Sequence, residues 1–405
     1  MTQKTVFCAD LEERLQAELD QLVARRICVG AAIAVGCCGE VVCSCRSGHA
    51  DLAAGRLVDD NTLFQMHSLT KPLTAVAVMQ LWERGAFQLD DPVSRYLPAW
   101  ADAKVVHTRE DGSEYLLPVQ VPVTVRHLLT MTAGTVYAGT GLVGEGIDRH
   151  SSALIESRRN GTPWTTVEYA THLAEVPLAF EPGSAYQYSL AFDVLGALIE
   201  IWSGMPMDRY CREHIFDPLG MKSAGFLTNE VPEEQLAVPY VRSEDGEFTP
   251  RWPVPTPSIN AYSLNNPNFI SGGGGLVCTL NDYARFASVL ARGGTAADGT
   301  VILKKETLAL ISAPALTKEQ RAFFPREGDT CLFGAGYSYG FGVHVMADQQ
   351  NHIPIGEWGW AGTMGTWLSI DPVNDIFWIY AHQRTPYNYE EYIPDISKLI
   401  YASLQ

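Results

Sequence analysis

The chain has too little positive charge to hold an anionic polymer. Its 405 residues carry 29 Lys and Arg against 46 Asp and Glu, a net charge of −17, and no run of Lys or Arg is longer than two. That balance repels nucleic acid and anionic membrane surfaces. Long apolar runs are also missing. The most apolar stretch, Ile27–Gly39, falls short of the roughly 20 residues that cross a bilayer. No apolar segment follows a basic start at the N-terminus, so no secretory leader is expected. Cysteine is present without a pattern: nine residues, six of them within the first 45, with no Cys-x-x-Cys and no His-x-x-x-His spacing. An odd, crowded set excludes a zinc knuckle or zincin and argues against a disulfide framework. Free thiols in a reducing cytoplasm are the expectation. No metal or cofactor is implied.

What is there is an ordinary globular composition, 46% hydrophobic and 19% charged, long enough for one large core or two smaller ones. Leu11, Leu15, Leu19 and Leu22 recur at helical spacing, with Asp10 and Glu13 placed as a capping box. Two β-rich runs, Cys28–Val35 and Val41–Arg46, flank Gly36-Cys-Cys-Gly39 and predict a hairpin. A helix is expected from about Ser68 to before Gly85, and others over Val123–Thr132, Ala191–Trp202 and Asp282–Ala291. Trp252–Asn281, uncharged and rich in Pro, Asn, Ser and Gly, reads as loop. Strand character returns only late, in Gly340–Met346, Gly365–Ile370 and Asp375–His382, before a closing helix over Ile393–Leu404. Strands segregated from helices imply an α+β fold. The hairpin and the late strands share one antiparallel sheet with the first and last helices on it. Residues 1–66 and 268–405 then form a discontinuous sheet domain, and 67–267 an inserted, mainly helical one. A ligand cleft is expected between them.

Chemistry concentrates at His67-Ser68-Leu69-Thr70-Lys71. Of the eight lysines, only Lys71 has a serine three residues before it. On a helix the two share a face, within reach of each other. At a first turn the serine oxygen also meets unpaired N–H groups and the positive end of the helix dipole. The bland alternative is a capped helix with an exposed lysine. His67, adjacent in sequence, points elsewhere on a helix and is read as structural. Asp90-Asp91 are read as turn acids, and Ser271 with its four glycines lacks the Lys-Ser/Thr of a phosphate loop. No Gly-x-Ser-x-Gly elbow occurs.

Two more segments join the Ser-Lys pair: Tyr188-Ser-Leu before an apolar helix, and Trp360-Ala-Gly362-Thr363 entering a strand. With Gly85–Pro98, Val123–Gly134, Ile215–Met221 and Ser271–Phe286 between and around them, the chain resembles the serine β-lactamase and penicillin-binding family. The resemblance covers about Ala31 to Tyr380 and is to the class C-like branch, which includes esterases and acyltransferases. It implies Ser68 as nucleophile, Lys71 as its general-base partner and Tyr188 as proton shuttle. It also implies an oxyanion hole from the backbone N–H groups of Ser68 and Thr363. Lysine and tyrosine together can share one proton through acylation and deacylation.

The chain departs from the lactamases at two points. Trp360 stands where they carry the lysine of Lys-Thr-Gly, and Tyr188-Ser-Leu replaces Tyr-x-Asn. A cation there holds a substrate carboxylate, whereas tryptophan offers a flat apolar wall. Trp358, Trp367 and Tyr137 extend that pocket if they reach the cleft, and otherwise pack in the core. Glu357, facing the cleft, would repel a carboxylate further. The expectation is a cofactor-independent serine hydrolase that acylates itself from small, neutral, fairly apolar esters. The rivals are a peptidase, amidase or weak β-lactamase, and a catalytically silent relative that binds a ligand or partner.

Overall fold

The two ends of the chain build one sheet. The computed structural model describes residues 6–226, 232–251, 268–324, 336–349 and 352–405. The N-terminal part supplies β1 (Gly30–Cys37), β2 (Glu40–Asp51) and β3 (Arg56–Leu57). The C-terminal part supplies β4 (Tyr337–Tyr339), β5 (His344–Met346), β6 (Trp358–Gly362), β7 (Thr366–Asp371) and β8 (Ile376–His382). They lie in the order β4-β5-β6-β7-β8-β1-β2-β3, antiparallel at every pairing. The halves join where β1 meets β8, from Ala31 opposite His382 to Cys37 opposite Ile376.

β8, Ile-Phe-Trp-Ile-Tyr-Ala-His, is buried along its whole length, and so is β1. Strands covered on both faces read as continuous apolar runs rather than alternation. α1 (Leu11–Ala24) packs along β1 and β2 and carries α5 (Ile393–Ala402) beside it. α4 (Leu280–Ala291) packs along β8, β7 and β1. Leu11, Leu15, Leu19 and Leu22 are all buried, as their spacing predicts; each such burial stabilises by roughly 1.5–3 kcal/mol. The capping box does not form. Asp10 has ψ of 8°, not the extended value of an N-cap, and its side chain makes no cap bond.

The hairpin turn is tighter than the sequence suggests. Only Cys38 and Gly39 turn, with φ of 54° and 74°, the two positive values of a type I′ turn. Gly36 stays in β1, where a Cβ would come within 2.0 Å of the Phe377 ring.

The middle of the chain holds the expected helices at Val125–Leu129 and α3 (Ala191–Ser203), but also strands, which the sequence reading placed only at the two ends. Lys104–Thr108 pairs with Glu114–Pro118; Leu63–Gln65, Leu276–Thr279 and Gly225–Phe226 form a small sheet. Strands of two to five residues are too short to display a period. The loop expected over Trp252–Asn281 falls mostly outside the described residues. Its end is corrected: Leu276–Thr279 is strand and Leu280 opens α4. The helix Gly141–Arg159 escaped notice because Gly141, Gly144 and Gly146 depress its opening. Gly146 is required there, since a Cβ would sit 2.7 Å from Pro177 Cδ. Among the described residues no helix is long and apolar enough to cross a membrane.

Thr363, Met364 and Gly365 join β6 to β7, with φ of 83° at Met364 and 96° at Gly365. A Cβ on Gly365 would lie 1.9 Å from Nε2 of the buried His382. Gly365→Ala is therefore expected to lower stability by about 2 kcal/mol or more in urea denaturation. A loss below about 0.5 kcal/mol would mean that the turn relaxes freely.

Candidate active site

Ser68 stands where a strand passes into a buried helix. After Leu63–Gln65, His67–Leu69 make one 3₁₀ turn, and α2 (Thr70–Glu83) follows. The tighter turn serves the Ser-Lys pair well, because i and i+3 side chains eclipse in 3₁₀ geometry. His67 has φ of 48°, a left-handed value unusual for a residue with a Cβ. Such strain persists only where the surroundings over-determine it. Here Thr70 Oγ1 donates to the His67 carbonyl at 2.6 Å and accepts from Leu276 N–H at 3.0 Å. Thr366 Oγ1 donates to the Met66 carbonyl at 3.0 Å, and Tyr283 OH to the Leu69 carbonyl at 2.9 Å.

The Lys71 side chain is fully buried. Its ammonium donates to Ser68 Oγ at 3.2 Å, to Tyr137 OH at 3.2 Å and to the Gly273 carbonyl at 2.8 Å. The Tyr188 ring lies 4.5 Å from Nζ. Tyr188 OH in turn donates to Ser68 Oγ at 2.6 Å. Trp360, 2% exposed in β6, turns its indole N–H toward Tyr188 OH at 3.3 Å. Burial above all, with Tyr188 beside it, holds the Tyr137 phenol well above its ordinary pKa, so it stays neutral. His67 is neutral too: burial, then the Arg251 and Lys71 cations, push it down to about 3.

Gly362 ends β6 directly against the Ser68 turn. A Cβ there would come within 2.4 Å of the Met66 carbonyl and 3.3 Å of the Ser68 nitrogen. Its own carbonyl is held by Tyr389 OH at 2.8 Å and by Gly365 N–H at 3.0 Å. Thr363 follows at the surface of the cleft, and its backbone N–H bonds to no described residue. The Ser68 nitrogen thus lies against Gly362, with the Thr363 N–H next in the chain.

Asp193 is the residue whose part the sequence reading missed. On α3, buried, it accepts from Ser271 Oγ at 2.6 Å and from Gly273 N–H at 3.1 Å. It thereby fixes the glycine run so that the Gly273 carbonyl faces Lys71. Burial raises the Asp193 carboxyl pKa, opposed by Ser271 and the Lys71 charge. A lone acid in the apolar helix Ala-Phe-Asp-Val-Leu-Gly was the available signal.

Other expectations come out differently. Glu357 does not face the cleft: it is buried and accepts from Ser369 Oγ at 2.6 Å and from Tyr337 OH at 3.3 Å, beside His344 at 3.4 Å. Its expected repulsion of a substrate carboxylate is withdrawn. Trp358 and Trp367 are buried in the sheet, Trp367 stacking on Trp378 at 6.1 Å. Asp90 pairs with Arg126 at 2.7 Å, and Asp91 holds Tyr96 and Arg95. Among the described residues no cluster of His, Cys, Asp and Glu is arranged to hold a metal.

The Beta-lactamase family model matches residues 15–399. Esterase EstB of Burkholderia gladioli is 39% identical over 259 residues, which are 60% of this chain and 59% of that protein. Acyltransferase calJ of Penicillium decumbens is 27% identical over 359 residues, 85% of this chain and 80% of that one. Among solved structures, EstCE1, a hydrolase with promiscuous acyltransferase activity, superposes with a TM-score of 0.78 at 26% identity, covering 97% of this chain and 98% of its own. The chain belongs to the Beta-lactamase family, and it is a serine hydrolase of the β-lactamase-related type.

Asp193→Asn keeps an acceptor for Ser271 and Gly273 but replaces two charge-assisted hydrogen bonds by neutral ones. With the Gly273 carbonyl held less firmly against Lys71, kcat/KM is expected to fall about tenfold or more with the protein still folded. An unchanged kcat/KM would reduce Asp193 to a structural brace.

Proposed function

We propose that the protein hydrolyses or transfers the acyl group of a small ester through a covalent intermediate on Ser68. The observation that carries this reading is the convergence of Lys71 Nζ at 3.2 Å and Tyr188 OH at 2.6 Å on one serine oxygen. Lys71 and Tyr188 act as one proton-handling unit. The unit first releases one proton to solvent; it then takes the Ser68 proton as Oγ attacks the ester carbonyl, and the N–H groups of Ser68 and Thr363 receive the oxyanion. When the tetrahedral intermediate collapses, the C–O bond to the leaving alcohol breaks and Tyr188 returns the proton to it. Water, or a second alcohol, then repeats the sequence on the acyl-enzyme. Tyr137 and Gly273 hold the lysine head in place, and Trp360 fixes the Tyr188 hydroxyl.

The catalytic cleft in this reading lies between the sheet unit, 1–66 with 268–405, and the mainly helical unit, 67–267. A reducing cytoplasm fits the free, buried thiols of Cys28, Cys211 and Cys278. Neutral, fairly apolar esters fit the Trp360 position, where a lysine would otherwise bind the carboxylate of a β-lactam.

Ser68→Ala should abolish turnover and labelling by a fluorophosphonate while changing stability by less than about 1 kcal/mol. Labelling that persists at another serine would overturn the assignment. Short para-nitrophenyl esters should exceed penicillins and cephalosporins in kcat/KM by at least about 100-fold, or ~2.7 kcal/mol. A wild-type preference for the β-lactam would refute the esterase reading and leave the serine mechanism standing.

A further inference from the structure

Among the described residues Arg251 pairs with no carboxylate. It follows the short strand Phe248–Pro250, and its backbone N–H donates to the Pro239 carbonyl at 2.7 Å. The side chain is partly exposed, and among the described residues its guanidinium meets one polar atom, Met364 Sδ, at 3.9 Å. A thioether is a weak acceptor, so among the described residues its N–H donors meet no oxygen. Other partly exposed arginines are paired: Arg321 reaches Asp348 at 2.6 Å, and Arg242 reaches Glu391 at 3.8 Å. Asp90 and Glu213 raise the pKa values of Arg126 and Arg209, whereas at Arg251 burial alone acts, downward.

The location is beside the reacting groups. Met364 follows Thr363, and His67 precedes Ser68. Arg251 touches the first and lies near enough to the second to help hold its imidazole neutral. The cation that Trp360 displaces from β6 therefore has a counterpart beyond the β6–β7 turn, in a different position relative to the serine. A guanidinium fork matches a carboxylate with two parallel hydrogen bonds.

Resting on the serine-esterase reading above, we propose that Arg251 receives a carboxylate carried by the substrate, so that acidic esters are preferred over their neutral isosteres. This narrows the substrate class without excluding the neutral esters. The carboxylate stays intact, and only the ester bond at Ser68 breaks.

Two isosteric pairs test it: para-nitrophenyl hydrogen glutarate against para-nitrophenyl valerate for the acyl side, and para-acetoxybenzoate against para-tolyl acetate for the alcohol side. At least one acidic ester should exceed its neutral partner about tenfold in kcat/KM, mainly through KM and less at high salt. Arg251→Met should erase that ratio, and Arg251→Lys should keep part of it. Should Arg251→Met fail to fold, inhibition of wild-type valerate ester hydrolysis by free glutarate, set against neutral glutaramide, supplies the same contrast. Ratios near one in the wild-type enzyme, or a ratio that survives Arg251→Met, overturn the proposal while turnover of the neutral esters upholds the esterase reading. Glutarate inhibiting no better than glutaramide overturns it as well. No turnover of any of the four esters removes both.

Discussion

A buried ammonium organises this molecule. Among the described residues Lys71 has no carboxylate in contact, and its protons go to a serine oxygen, a tyrosine oxygen and a backbone carbonyl. A cation is tolerated inside a protein only when its donors are all satisfied. Each of those three acceptors must therefore be held by its own supports. Gly273 is held by Asp193, Ser68 by the clamped 3₁₀ turn, and Tyr137 by ring contact with Tyr188 at 5.3 Å. Elements far apart in sequence thus meet at one nitrogen. The same demand explains why α2 is buried from Thr70 through Leu81.

The sheet was legible in the sequence because its strands are long or continuously apolar, and β8 left no other reading. Ser68, Lys71 and Tyr188 were legible because their residue types are rare at those spacings and the family resemblance ordered them. What was not legible depends on distance through space. Asp193 acts on Lys71 through a glycine carbonyl 80 positions later in the chain, at Gly273. Glu357 looked cleft-facing from its nearness to Trp360, but three residues along a strand span a change of face. Its buried contacts with Ser369 and Tyr337 settle where it points. Arg251 carried no motif at all, and only its surroundings distinguish it.

Trp360 illustrates how one substitution redistributes chemistry. A lysine at that point would add a second cation near Lys71. Indole brings a neutral N–H that bonds Tyr188 and a ring that packs on Tyr339 at 5.0 Å. The tyrosine hydroxyl is then held by neutral partners and by the serine, and electrostatic work on the substrate falls to other groups.

The seam between β1 and β8 also has a consequence for how the protein comes into being. More than 300 residues separate the two strands, so β1 leaves the ribosome long before its partner exists. Until β8 arrives, the β1–β2 hairpin shows one bare, apolar edge, the kind of edge that recruits strands from other chains. Contacts this distant in sequence also form slowly. Nascent chains are therefore most exposed to misassembly in the interval between synthesis of the hairpin and synthesis of β8. Truncation before Ile376 would make that interval permanent, and it would favour aggregation over a smaller folded enzyme.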